Sequence, residues 1–161
     1  MEQRLALPER VLMQIEKPAR YIGNEVNMVR KNLGDVDVRI AMCFPDVYEI
    51  GMSYLGIQIL YDMFNRRKDV YCERVYSPWP DLDAIMRKEQ IPLFSLETQT
   101  TISEFDWLAI TIQYEMCYTN ILQVIDLSGI PLLAKERTKE HPIVIGGGPC
   151  TVNPEPMADF F

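Results

Sequence analysis

A single histidine stands among 161 residues, and the four cysteines (Cys43, Cys72, Cys117 and Cys150) are too widely spread to form a C-x-x-C pair. Zinc knuckles and redox dithiols are therefore not signalled. No apolar run approaches the ~20 residues that a membrane-spanning helix needs. The opening Met1, Glu2, Gln3 and Arg4 mixes charge signs and leads into no apolar signal core, so a cytoplasmic location is the expectation. Net charge is −7 at pH 7, and the chain lacks the basic footprint of a nucleic-acid binder. Neither repeats nor low-complexity tracts occur.

What is present is the make-up of a globular domain, with 48% hydrophobic and 24% charged residues. Two segments dominate. Phe44-Pro45-Asp46-Val47-Tyr48-Glu49-Ile50-Gly51-Met52-Ser53 comes early, and Ile143-Val144-Ile145-Gly146-Gly147-Gly148-Pro149-Cys150 comes late. Each is an apolar strand running into a turn of small residues. In an open α/β sheet such turns sit at the carboxyl ends of the strands, where ligands bind.

The pattern along the chain alternates strand and helix. A short amphipathic helix is expected over residues 8–17, ahead of Pro18, and a polar linking segment over 17–25. Strands are expected over 38–44, 70–76, 107–112 and 142–145, with a short edge strand over 92–96. Helices are expected over 53–67, capped by Ser53, over 82–89, capped by Asp81, and over 116–128, closed by Gly129. Helix-length connections imply parallel pairing, with the first strand central between 70–76 and 107–112. The fold expected is a three-layer α/β sandwich with a mainly parallel, Rossmann- or flavodoxin-like sheet. Residues 1–36 form an amino-terminal extension and 37–161 the α/β domain. Phe160 and Phe161 look like the start of a fifth strand, so the chain reads as the front part of something longer, with one sheet edge open to self-association.

Cys43 and Cys117 read as small core residues. Cys150, after the glycine turn, is either another such residue or one that meets solvent or ligand. Asp46 and Glu115 near strand ends are solvated rim residues or ligand contacts. Trp79, Tyr48 and Tyr114 are crevice walls or ordinary packing. His141 falls at the amino end of the last strand, opposite the crevice.

Taken together, the run from Phe44 through Asn65, the Trp79-Pro80-Asp81 turn, Gln113-Tyr114-Glu115 with Tyr118-Thr119-Asn120, and Gly146-Gly147-Gly148-Pro149-Cys150-Thr151 with Asn153-Pro154-Glu155-Pro156 resemble the amino-terminal region of one radical SAM family. The leader Lys17-Pro18-Ala19-Arg20-Tyr21-Ile22-Gly23 resembles that family's leader too. The resemblance implies a cobalamin-binding-like domain placed before an iron–sulfur barrel, with a [4Fe-4S] cluster and S-adenosylmethionine only in the intact protein. The downstream barrel is then the implied partner. The cluster's C-x-x-x-C-x-x-C triplet does not occur in these residues, so this chain by itself is expected to be a cofactor domain and not a catalyst.

The resemblance also implies a site. Histidine-ligated cobalamin domains carry D-x-H-x-x-G after the first strand, and the matching Asp46-Val47-Tyr48-Glu49-Ile50-Gly51 has tyrosine in the histidine's place. A phenol with pKa near ~10 is a poor neutral donor to cobalt, so bound cobalamin is expected base-off or water-bound. Gly51 and Ser53, with Gly56, would line the tail slot from one side, and Thr111, Gln113, Gly146, Gly147 and Gly148 from the other. Two alternatives stay open. One is a vestigial domain serving as a packing module or substrate platform. The other is a flavodoxin-like nucleotide-phosphate binder, whose loop 45–52 offers one glycine and two acids where phosphate needs free N–H groups.

Overall fold

The computed structural model describes residues 5–161; Met1, Glu2, Gln3 and Arg4, the opening that reads as no signal core, lie outside the described residues. Four strands, β1 (Val38–Phe44), β2 (Val70–Tyr76), β3 (Trp107–Thr111) and β4 (Ile143–Gly147), form one sheet in the order β2-β1-β3-β4. All three pairings are parallel, with Ile40 opposite Cys72 and Trp107, and Trp107 opposite Ile143. The expected architecture and the central place of the first strand are both found.

Among the described residues, five α-helices accompany the sheet: α1 (Glu9–Leu12), α2 (Tyr48–Gly51), α3 (Leu55–Asn65), α4 (Pro80–Glu89) and α5 (Tyr118–Leu127). Alternation along the strands supplies a core on each face. On one face Ile40, Met42, Phe44, Val70 and Cys72 meet Ile57 and Tyr61 of α3. On the other, Ala41, Cys43, Val75, Leu108 and Ile110 meet Leu82 and Met86 of α4, Ile121, Val124 and Ile125 of α5, and Val11 of α1. Fully burying a side chain such as Ile57 or Ile121 is worth ~1.5–3 kcal/mol. The β1–β2 connection therefore runs over one face and the β2–β3 and β3–β4 connections over the other, which makes the β1/β3 boundary the switch point of the sheet.

Several local expectations are corrected. The first helix stops at Leu12 because the chain turns to donate Glu16 N to Asp81 Oδ2 at 2.7 Å. Ser53 does not cap α3: Tyr54 holds that position, and Ser53 Oγ donates to Ile50 O at 2.9 Å, closing the unforeseen α2. Nor does Asp81 cap α4, since Pro80 is already its first residue and Trp79 its N-cap. Residues 92–96 form no strand, only one antiparallel bridge from Phe94 to Thr101. There the chain wraps the buried Glu73 carboxylate, which accepts from Ser95 Oγ at 2.7 Å and Thr98 N at 3.1 Å. The end of the chain is a 3₁₀ run, Glu155–Phe160, and Phe160 and Phe161 are partly buried against the core. Apolar packing, with Arg137 donating to Phe160 O at 2.6 Å, takes the place of the expected strand start.

Candidate functional site

At the switch point the chain leaves β1 toward α3 on one face and leaves β3 toward α5 on the other. Side chains bridge the gap between these diverging loops. Tyr114 Oη donates to Asp46 Oδ2 at 3.1 Å, Asn120 Nδ2 to Pro45 O at 2.9 Å, and Tyr54 Oη to Gln113 Oε1 at 2.8 Å.

Beside this crevice, on the α3 face, lies a cleft of about 310 Å³. Its floor is the sheet, through Ile40, Met42, Ala109, Thr111 and Ile145; its wall is Gly56, Leu60 and Phe64 of α3; its far rim is Gly146, Gly147 and Gly148. The cleft exists because α3 packs on β1 and β2, leaving Trp107 of β3 and Ile143 and Ile145 of β4 uncovered on that face. The lining is apolar apart from Gln113, the Tyr54 hydroxyl and Thr111. Thr111 is 7% exposed, and its buried Oγ1 has no hydrogen-bond partner. An unpaired buried hydroxyl costs free energy, so Thr111 marks a place where a polar ligand atom gains most.

The glycines divide by role. A Cβ on Gly147 would meet nothing within 4 Å, because that position faces the open cleft. At Gly146 it would stand 2.8 Å from Ile112 Cδ1 and 3.1 Å from the Phe161 ring, so this glycine is required by packing on the opposite face. Gly148, at φ +119, brings its backbone against Ile112 O.

Of the residues named from sequence, Thr111, Gln113, Gly146, Gly147 and Gly148 come together at the cleft. Asp46, Tyr48, Gly51 and Ser53 do not line it. Asp46 accepts from Val47 N at 2.7 Å and from Tyr114 on the crevice rim. Gly51 is buried where a Cβ would stand 2.4 Å from the Tyr76 ring. Tyr48 turns its hydroxyl away from the cleft to donate to Glu25 Oε1, and burial first, then Glu25, pushes its phenol up to about 12. Ser53 is spent on α2. Gly56, expected at the slot, is joined there by Leu60 and Phe64, whose apolar character alone points to packing; the i, i+4, i+8 spacing of the three is the signal that one α3 stripe shares a surface.

The rim carries a clamp from the leader. Arg20 Nε pairs with Glu49 Oε2 at 2.8 Å while its guanidinium lies 5.3 Å from the Trp79 ring centroid. The Arg20 hydrogen bond, chiefly, holds the Glu49 carboxyl down to about 2. His141 Nδ1 accepts from Thr138 N at 3.0 Å at the amino end of β4, away from the cleft. Among the described residues, no group of three His, Cys, Asp or Glu is placed to hold a metal ion, and no helix is long and apolar enough to cross a membrane.

Comparison with known proteins adds the lineage. The family model described as "Radical SAM proteins, N-terminal" matches residues 56–161. The uncharacterised protein MJ0966 of Methanocaldococcus jannaschii is 26% identical over 125 residues, covering 76% of this chain but 22% of the relative. The chain thus spans about a fifth of the length of the curated relative it matches. No solved structure matches it. The α/β sheet, its switch point and the family match over α3 through the glycine turn agree: this chain belongs to the N-terminal family of radical SAM proteins.

Proposed function

We propose that this domain is the cobalamin-holding part of a radical SAM enzyme. The corrin would rest on the carboxyl ends of the sheet, with its nucleotide arm in the cleft beside α3. The observation that carries this reading is the unpaired Thr111 Oγ1 in an apolar slot whose edge is open at Gly147. Thr111 would bind the arm's polar edge, and Leu60, Phe64 and Ile145 would exclude water from its flat face. Cobalamin, when bound, supplies a cobalt centre that carries a methyl group or an electron.

Among the described residues, neither Tyr48 nor His141 faces the crevice. Tyr48 faces Glu25 and keeps its proton at neutral pH, and His141 sits at the opposite end of β4. The bound form would therefore be base-off, with cobalt's lower face left to water. The [4Fe-4S] cluster and S-adenosylmethionine belong, in this reading, to the barrel of the intact protein. The phosphate-binding alternative is disfavoured by loop 45–52, where Val47, Ile50, Gly51 and Met52 already donate their N–H groups within the loop.

A second reading has its own observation. Leu55, Ile59 and Met63 form an outward stripe on α3, exposed by 66%, 56% and 50%, and Trp107 and Ile143 on the sheet are exposed too. Such a surface suits a packing module. One titration separates the two. Hydroxo- and methylcobalamin are added to the purified chain, and gel filtration then shows whether colour travels with protein. Retained colour with a base-off spectrum is expected. A folded sample that retains none would overturn the cobalamin reading and leave the packing module.

A further inference from the structure

One hydrogen bond crosses the carboxyl mouth of the cleft. Tyr54, at the N-cap of α3, donates to Gln113, two residues past the end of β3, at 2.8 Å. The nitrogen end of the same carboxamide lies against the third strand of the row: a Cβ on Gly148 would stand 3.2 Å from Gln113 Nε2. At its other end the Tyr54 ring leans on Phe44, the last residue of β1, with centroids 5.2 Å apart. Tyr54, Gln113 and Gly148 thus form a bar over the ends of β1, β3 and β4.

The bar is lightly seated. Tyr54 is 37% exposed, and its ring lies over Gly56, where a Cβ would stand 2.6 Å from Cε1. One neutral, exposed hydrogen bond holds the two ends together, and such bonds contribute little net stability. Thr111, whose buried hydroxyl is unpaired, lines the same cleft as Tyr54 and Gln113.

We propose that the Tyr54–Gln113 bar is a latch that selects ligands by shape. This rests on the reading of the cleft as the seat of a ligand's nucleotide arm. A ligand bearing a flat heteroaromatic arm reaches Thr111 only when Tyr54 swings out. A ligand lacking the arm sits on the strand ends and leaves the latch shut. Opening also frees the Gln113 carboxamide, which then offers both a donor and an acceptor to the arm.

The test has two readouts on the whole chain. In the first, Thr111→Cys is placed in a Cys150→Ser background, where the remaining native thiols are buried, and its labelling by a small maleimide is timed. Tyr54→Phe and Gln113→Leu are each expected to speed that labelling roughly two- to tenfold, the worth of one hydrogen bond. Combined, they should add nothing further, because they remove the same bond. In the second readout, the same two substitutions should speed association of hydroxocobalamin by a similar factor and leave cobinamide, which lacks the nucleotide, unchanged. Labelling that does not move in either variant overturns the latch, as does equal acceleration of both corrins. Faster labelling without retention of any corrin supports the latch and sinks the cobalamin reading. Corrin retention with unmoved labelling does the reverse.

Discussion

Tyr48 stands edge-on to Tyr76, with ring centroids 5.4 Å apart and ring planes at 82°. This geometry, favourable between aromatic quadrupoles, turns the phenol along the sheet toward Glu25 and away from the strand ends. Glu25 in turn pairs with Arg74 at 2.5 Å. Tyr48 therefore ties the leader to the first loop. Tyr48→Phe should lower stability in urea by ~1.5–3 kcal/mol, the range for a hydrogen bond to a charged partner. Tyr48→His should leave the spectrum of any bound corrin base-off, because the side chain at 48 faces Tyr76 and not the crevice. A base-on spectrum in that variant would refute the placement.

Gly51 and Gly147 make a paired test of packing against ligand space. A Cβ on Gly51 would fall 2.4 Å from the Tyr76 ring and 3.0 Å from Phe44 Cβ, with both rings held in the core. Gly51→Ala should cost ~1–3 kcal/mol through overpacking. Gly147 has open space, and a strand position gains from losing glycine's chain entropy, so Gly147→Val should leave urea stability unchanged or raised. It should nonetheless abolish cobalamin retention, because its branches occupy the cleft. Retention by a folded Gly147→Val protein would show that the arm lies elsewhere.

The order of strands was legible in the sequence because apolar segments and helix-length connections are signals local to each stretch. The face of α3 was not: the apolar spacing of Leu55, Ile59, Leu60, Met63 and Phe64 points to one packed stripe, yet Leu55, Ile59 and Met63 are exposed and Ile57 and Tyr61 are the buried residues. The parallel pairing followed from the helix-length connections between strands. The capping residues were misjudged where another bond took the side chain: Asp81 accepts from the distant Glu16 N, and Ser53 Oγ donates to the nearby Ile50 O. The cleft was half legible. Small residues after β3 and β4, with Gly56, announce a close approach, whereas the walls Leu60 and Phe64 look like any helix core until the sheet beneath them is seen to be partly uncovered. Tyr48 shows the limit of matching by position: its place in the row suggested the crevice, but its rotamer is set by Tyr76, many residues away.

Glu49 supplies a pH signature. Its carboxyl, ordinarily near 4.5, is held down to about 2 by the Arg20 hydrogen bond and by Lys17. A folded pKa below the unfolded one means the pair's stabilisation is fully present above the unfolded pKa. It is lost as pH falls through the folded value. With its side chain 42% exposed, Glu49 contributes at most ~1 kcal/mol after screening. The urea midpoints of wild type and Glu49→Gln should differ at neutral pH and converge between about pH 4.5 and about pH 2. A constant gap across that window would mean that the Arg20 pair does not drive the difference.

The outer edge of β4 is the last feature with a measurable consequence. Ile143 N donates to Asp106 O, and Gly147 O accepts from Ile112 N, so residues 143, 145 and 147 pair inward with β3. By alternation the N–H and C=O groups of Val144 and Gly146 point to the open edge. Ile143–Gly147 contains neither lysine nor proline, the usual guards of such an edge, and Ile143 is 60% exposed beside it. Two copies can therefore join edge to edge, opposed by a net charge of −7 on each. Sedimentation velocity should show weak, concentration-dependent dimers that strengthen as salt screens this repulsion. Ile145→Lys should restore the monomer by adding a charge at the strand. A single monomeric species at high protein and high salt would show that the short edge cannot pair by itself, since screening removes the repulsion that otherwise keeps copies apart.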